Sequence, residues 1–177
     1  MLPMRQLINL WRKNKIVIGI WSVYMAEKVL FVASSGGHLE EISQLKRIAK
    51  QYDNALVTEE NGFEVRNFGN RQYFVPQINR KEIMFLPKFI RLFFQAWRII
   101  KKEKPTVVIT TGALIAYPFC IIERIRHGKV VYIESFARVK EPSLSGKLIH
   151  KHSDLFIVQW EDMLEYFPDA VLGGGVF

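Results

Sequence analysis

Residues 28–42 read KVLFVASSGGHLEEI, and their order decides the fold. Lys28 to Ala33 is an apolar, β-branched run of strand length, expected to be buried on both faces. It ends at Ser34-Ser35-Gly36-Gly37, and from His38 onward Leu39, Ile42, Leu45 and Ile48 recur at near-helical spacing. Strand, glycine turn and helix in that order open a βαβ unit, and the alternation continues downstream. Ala55 to Thr58 and Tyr73 to Val75 are short strand candidates, and Pro87 suits the first turn of a long helix reaching about Lys102. The run TVVIT (106–110) predicts a strand, followed by Thr111-Gly112 and a helix through Arg126. KVVYI (129–133) predicts another strand, ending at Glu134-Ser135. Leu144 to His152 reads as a short helix, DLFIV (154–158) as the last clear strand, and Glu161 to Tyr166 as a helical turn or two. The expectation is an α/β fold, a Rossmann-like parallel sheet with helices on both faces, whose ligands bind beyond the carboxyl ends of the strands.

The chain has 177 residues, 49% apolar and 24% charged, which suits one globular domain with a core and excludes disorder and fibrous repeats. Its single cysteine cannot form an internal disulfide, and no CxxC or Cys/His cluster exists to hold zinc, so no metal site is expected. Cys120 lies in the apolar run Tyr117 to Ile122 and reads as a reduced core thiol.

A net charge of +8 raises nucleic acid as a partner, but the charge is concentrated in two places. Residues 1–24 carry +4 and residues 80–104 carry +6, which leaves −2 for the rest, where the predicted crevice lies. Nucleic acid is therefore not expected. Both basic segments are also rich in bulky apolar residues, with Trp11, Trp21 and Tyr24 in the first and Phe85, Phe89, Phe93, Phe94 and Trp97 in the second. Basic plus aromatic is a membrane-surface signature, because anionic headgroups attract Lys and Arg while Trp and Phe enter the acyl boundary. Ile16 to Met25 is about half the roughly 20 residues needed to span a bilayer, so residues 1–26 are expected to lie on a membrane as an amphipathic segment, with residues 27–177 as the Rossmann-like domain. A signal peptide and an upstream extension before a start at Met25 are the competing readings of that segment. The 80–104 helix carries aromatic residues on too many sides for one narrow core stripe.

Three loops follow predicted strands and should converge on one crevice: Ser34 to His38, Thr111-Gly112, and Glu134 to Arg138. The first suits phosphate, since two glycines admit a close approach and the helix behind them offers unpaired N–H groups and a positive dipole end. It also reads as a plain tight turn. His38 is placed to bind a phosphate or take a proton from a hydroxyl, with a structural role as the alternative. Glu134 is either a carboxylate delivered to the crevice or a partner for Arg138. His127, His150 and His152 read as solvated or capping. The dinucleotide fingerprint GxGxxG is absent, although Glu59 and Glu60 lie near the spacing of a ribose-binding acid.

The segments FVASSGGHLEEI (31–42), TTGALIAYP (110–118) and YIESFARV (132–139) together resemble bacterial capsular and exopolysaccharide proteins related to the membrane-anchored subunit of the eukaryotic two-subunit N-acetylglucosaminyltransferase of lipid-linked oligosaccharide assembly. The resemblance covers residues 27–177. More distantly, the chain looks like the amino-terminal half of the single-chain GT-B enzyme that adds N-acetylglucosamine to the peptidoglycan lipid precursor. That half handles the lipid-diphosphate acceptor, and the other half holds the UDP-sugar.

The resemblance implies one half of a GT-B glycosyltransferase, at the cytoplasmic face of the cell membrane and inactive without its partner. His38 and Glu134 would stand at catalytic positions, with Ser34, Ser35, Gly36, Gly37, Thr111 and Gly112 around the acceptor diphosphate. Trp11, Trp21, Phe89, Phe93, Phe94 and Trp97 would touch the membrane. No cofactor is implied, and the UDP-sugar would bind mainly on a carboxyl-terminal GT-B-half subunit. A non-catalytic scaffold that recruits a separate transferase is the alternative. The departures lie at Ser34-Ser35, where the peptidoglycan enzyme has further glycine, and at Ala116-Tyr117, where it has small polar residues.

Overall fold

The computed structural model describes residues 28–60, 68–69, 71–79 and 82–175. The expected membrane segment, with Trp11 and Trp21, lies outside the described residues.

Seven parallel strands form one sheet: β1 (Lys28–Val32), β2 (Asp53–Glu59), β3 (Arg71–Val75), β4 (Val107–Thr110), β5 (Lys129–Ile133), β6 (Leu155–Val158) and β7 (Val171–Leu172). Their spatial order is β3-β2-β1-β4-β5-β6-β7, every neighbouring pair being parallel. The helices are α1 (Gly37–Gln44), α2 (Lys46–Ala49), α3 (Phe85–Glu103), α4 (Ala116–Ile125) and α5 (Leu144–Ile149).

Successive side chains of a strand point to opposite faces, so each buried strand feeds two cores. Leu30, Val32, Val57, Val108 and Tyr132 meet Leu92, Ala96 and Ile100 of α3 and Phe119 of α4 on one face. Val29, Phe31, Leu56, Val107 and Ile109 meet Leu39, Ile42 and Ala49 of α1 and α2 on the other. Cys120 is buried in the first core, and the apolar surroundings push its thiol pKa well up.

At the amino ends of the strands, Glu103 is buried against Lys28 Nζ (3.2 Å) and Arg71 Nε (3.0 Å), and it accepts the Tyr73 hydroxyl. Burial opposes its ionisation, yet the bonds from Tyr73 and Lys28 and the charge of Arg71 hold its pKa below the usual carboxylate value. This cluster ties the foot of α3 to β1 and β3. Because α3 runs back down the sheet, its amino-terminal half stands at the opposite end, beside the carboxyl ends of the strands.

Boundaries differ from expectation where polar residues end an element. β2 and β3 each begin two residues early, at Asp53 and Arg71, and β2 runs on to Glu59. The first helix breaks at Leu45, just past Ser43, whose Oγ donates to Glu40 O (2.6 Å) and competes with the helical ladder. Leu144 to His152 splits into α5 and a 3₁₀ turn, His150–His152, while Glu161–Glu165 is 3₁₀. The two-residue β7 was not anticipated, and Gly173 N extends its pairing by donating to Val158 O (2.9 Å).

Candidate functional site

Between β1 and β4 the chain order reverses direction across the sheet, and a crevice opens there, as it does in other doubly wound sheets. A cavity of about 690 Å³ lies over the carboxyl ends of the strands. Ser34, Ser35 and His38 line it from β1, Glu59 from β2, Ala113 and Leu114 from β4, and Ser135 and Arg138 from β5. The three loops expected to converge do so.

Gly36 caps α1 with φ 76° and ψ −140°, a conformation that L side chains rarely adopt, and no atom lies within 4 Å of where a Cβ on Gly37 would stand. The amides of Gly37 and His38, the first of α1, have no intrahelical carbonyl ahead of them. His38 follows at the second helical position. Its Nδ1 donates to Thr111 O (2.9 Å), while Thr111 Oγ1 donates to His38 O (2.8 Å). A carbonyl can only accept, so the neutral ring carries its proton on Nδ1 and keeps a lone pair on Nε2.

Thr111 and Gly112 are themselves buried and stand behind the histidine rather than in the cavity wall. Gly112 has φ 111°, and a Cβ there would meet Tyr132 Oη at 2.8 Å and His38 Cε1 at 3.3 Å. The next residue, Ala113, is also left-handed, with φ 67°.

Glu134 corrects the expectation of a carboxylate open to the crevice or paired with Arg138. It is 1% exposed. Its Oε1 accepts from Ser135 N (3.0 Å) and its Oε2 from Ser143 N (3.2 Å) and Ser143 Oγ (3.1 Å). Ser143 in turn caps α5, accepting from Gly146 N (2.8 Å), and a Cβ on Gly146 would run into Glu134. Arg138 stays exposed at the cavity rim. Glu134 thus holds the β5 loop and α5 in place.

Two further carboxylates do similar work and were not singled out for it. Glu41 of α1 reaches across to Ser135 Oγ (2.9 Å) and Phe136 N (2.8 Å). Glu59 Oε2 accepts from Ser35 N (3.1 Å) and Ser35 Oγ (2.7 Å). His150 is also corrected: it is half-buried against Phe156 and Phe167, with Nε2 bonded to Asp169 at 2.6 Å.

The expected membrane helix keeps much of its apolar surface uncovered. Ile83, just before α3, is 99% exposed, Phe94 66% and Trp97 51%, while Phe89 and Phe93 half-bury against Tyr117 of α4. Ile90, Phe93, Phe94, Trp97 and Ile122 line an apolar groove of about 540 Å³. Arg98, Lys101 and Lys102 stand exposed further along the helix, with Lys101 Nζ over the Trp97 ring at 4.9 Å. Among the described residues no helix is long and apolar enough to cross a membrane.

A seven-stranded parallel sheet with this crevice has known counterparts. Residues 76–176 match the family described as oligosaccharide biosynthesis protein Alg14 like. The chain belongs to the Alg14-like family. The UDP-N-acetylglucosamine transferase subunit ALG14 of Rattus norvegicus is 26% identical over 91% of this chain and 92% of its own length. The subunit of the same name from Candida albicans is 30% identical over 75% and 70% respectively. Among solved structures, MurG of Acinetobacter baumannii superposes with a TM-score of 0.65 at 16% identity, covering 77% of this chain. The chain spans 42% of the length of that structure, so the Alg14-like fold is one Rossmann-like portion of a GT-B architecture.

Proposed function

We propose that this chain is the acceptor-binding, membrane-docking subunit of a split UDP-sugar-dependent glycosyltransferase that acts on a polyprenyl-diphosphate-linked saccharide. The observation that carries the reading is the crevice itself. A histidine with a free Nε2, at the start of a helix, lines an open cavity over the strand ends, in a chain similar over 91% of its length to a protein named as a transferase subunit.

The acceptor diphosphate sits on the amides of Gly37 and His38, at the positive end of α1, while Ser35 of the same loop is held by Glu59 and stands back from it. His38 Nε2 takes the proton of the acceptor hydroxyl as that oxygen attacks C1 of the donor sugar, and UDP leaves from the opposite face with inversion. Thr111 and Gly112 hold the ring, and Glu134 positions the loop opposite. The UDP-sugar is held mainly by a carboxyl-terminal GT-B-half subunit, and this chain supplies neither cofactor nor metal. The names of the relatives favour N-acetylglucosamine as the donor sugar and lipid-linked oligosaccharide as the product class. They lend no support to the capsular or exopolysaccharide destination expected from the motifs.

The apolar surface of α3 around Leu86, Ile90 and Phe94 lies at the crevice end of the sheet, where a lipid-linked acceptor would bring its diphosphate, and Arg98, Lys101 and Lys102 follow toward the other end. Peripheral or monotopic attachment at the cytoplasmic face of an anionic membrane, with residues 1–26 as a second anchor, completes the reading. Nucleic acid has no part in it. The test is reconstitution: the isolated chain should show no transfer and little UDP-sugar affinity, and adding the partner subunit should restore turnover. Full activity from the isolated chain would overturn the split-enzyme reading. A non-catalytic scaffold is the second reading, and the structural role of Glu134 favours it by removing one of the two candidate bases, His38 and Glu134.

A further inference from the structure

We infer that Glu59 is the saccharide-recognition residue of the crevice and that the acceptor lies across it in one direction, with its sugar toward β2 and its diphosphate toward β5. The inference rests on the acceptor-site reading above.

Glu59 is only 5% exposed, yet it belongs to the cavity wall. Among the described residues both of its hydrogen bonds fall on Oε2, from Ser35 N and Ser35 Oγ. The Ser35 amide, one of the groups a glycine loop would offer to a phosphate, is therefore already taken by a carboxylate. A phosphate oxygen brought to that side would meet a like charge in a poorly solvated wall. An ionised carboxylate only accepts, so the ligand atoms it suits are donors: sugar hydroxyls or an acetamido N–H.

On the other side the lining carries a cation and the carboxylates stand behind it, Glu41 and Glu134 being buried on Ser135 and Ser143 while Glu59 belongs to the wall itself. Arg138 stands exposed on the rim after β5, and Ser135, Ser143 and Ser145 line the wall beside it. His38, at the second position of α1, lines the cavity from β1, between the two. β2 and β5 are separated by β1 and β4, three strand spacings or about 14 Å, which leaves room for a diphosphate and its first sugar side by side. Anion beside Arg138 and hydroxyls on Glu59 is the arrangement in which both charged side chains of the lining meet a complementary group.

Two probes separate the ends: farnesyl diphosphate, and farnesyl diphosphate carrying N-acetylglucosamine on its terminal phosphate. Their affinities are measured by titration calorimetry with the full chain. The wild type should bind the glycosylated probe more tightly. Glu59→Gln keeps an acceptor for Ser35 and should weaken the glycosylated probe about tenfold, since a hydrogen bond to a charged group is lost, while the bare diphosphate binds as well or better. Arg138→Ala, at an exposed position that leaves the fold intact, should weaken both probes alike and preserve their ratio. Equal weakening of both probes by Glu59→Gln, no effect on either, or an altered ratio in Arg138→Ala would overturn the inference. A wild-type chain that binds neither probe would overturn the acceptor-site reading, and this inference with it.

Discussion

His38 is clasped by a single threonine, its ring through Thr111 O and its backbone carbonyl through Thr111 Oγ1, so ring and helix start move as one piece. Glu134 plays the opposite part, a carboxylate whose oxygens accept three bonds and face no solvent. Glu134→Gln turns an NH₂ toward at least one buried donor, and the expected cost is about 1–3 kcal/mol in urea unfolding. Glu123 gives a pH signature. It is buried in α4, and burial outweighs the Arg126 charge, pushing its pKa up to about 7. The folded state then holds a proton that the unfolded chain releases near its ordinary value. Stability should fall as pH rises from about 4.5 to about 7, by at most about 3 kcal/mol, and stay level above. Urea midpoints at pH 5 and pH 8 check this, and Glu123→Gln should flatten the difference. The glycine loop and His38 were legible because their chemistry is local to one strand-to-helix turn. The roles of Glu134, Glu41 and Glu59 were not, since each depends on what tertiary packing brings alongside. Glu41 meets Ser135 across 94 residues of chain, and no periodicity in α1 distinguishes it from a solvated glutamate.

At the scale of elements, α3 carries the most unusual burden. One stripe, Leu92, Ala96, Ile99 and Ile100, is buried in the sheet's core, while Leu86, Ile90, Phe94 and Trp97 remain exposed. Changing Leu86, Phe94 and Trp97 to Ser removes no core contact, so thermal stability should hold. In a chain lacking residues 1–24, the triple change should lower flotation with anionic vesicles at least about tenfold, because each apolar side chain withdrawn from the interface forfeits about 1.5–3 kcal/mol at full burial. Unchanged flotation would mean that α3 faces something other than lipid. The sequence pattern disclosed this helix fully, its excess of aromatic residues being visible without coordinates. It disclosed β7 not at all, since two residues with Leu172 exposed carry no alternation to read. The break at Leu45 was hidden for a related reason: apolar spacing runs through it, and only the Ser43 bond to Glu40 O marks the spot.

For the whole molecule, strand order places the reversal point, the reversal point places the crevice, and the crevice collects loops from β1, β2, β4 and β5. Three buried carboxylates hold the loops after β1 and β5, and the paired bonds of His38 with Thr111 hold the one after β4. The parallel sheet and its crevice followed from the sequence because buried strands alternating with helices admit few other topologies. The proposed function has this crevice do chemistry on the acceptor, with His38 as the base. Its most direct test is the transfer rate of the reconstituted pair carrying His38→Ala, with co-elution confirming that the complex survives. A positioned base contributes about a hundredfold or more, so turnover should fall by at least that factor while the KM for the UDP-sugar stays unchanged. A His38→Ala pair that turns over at the wild-type rate would contradict the claim and leave the chain a scaffold.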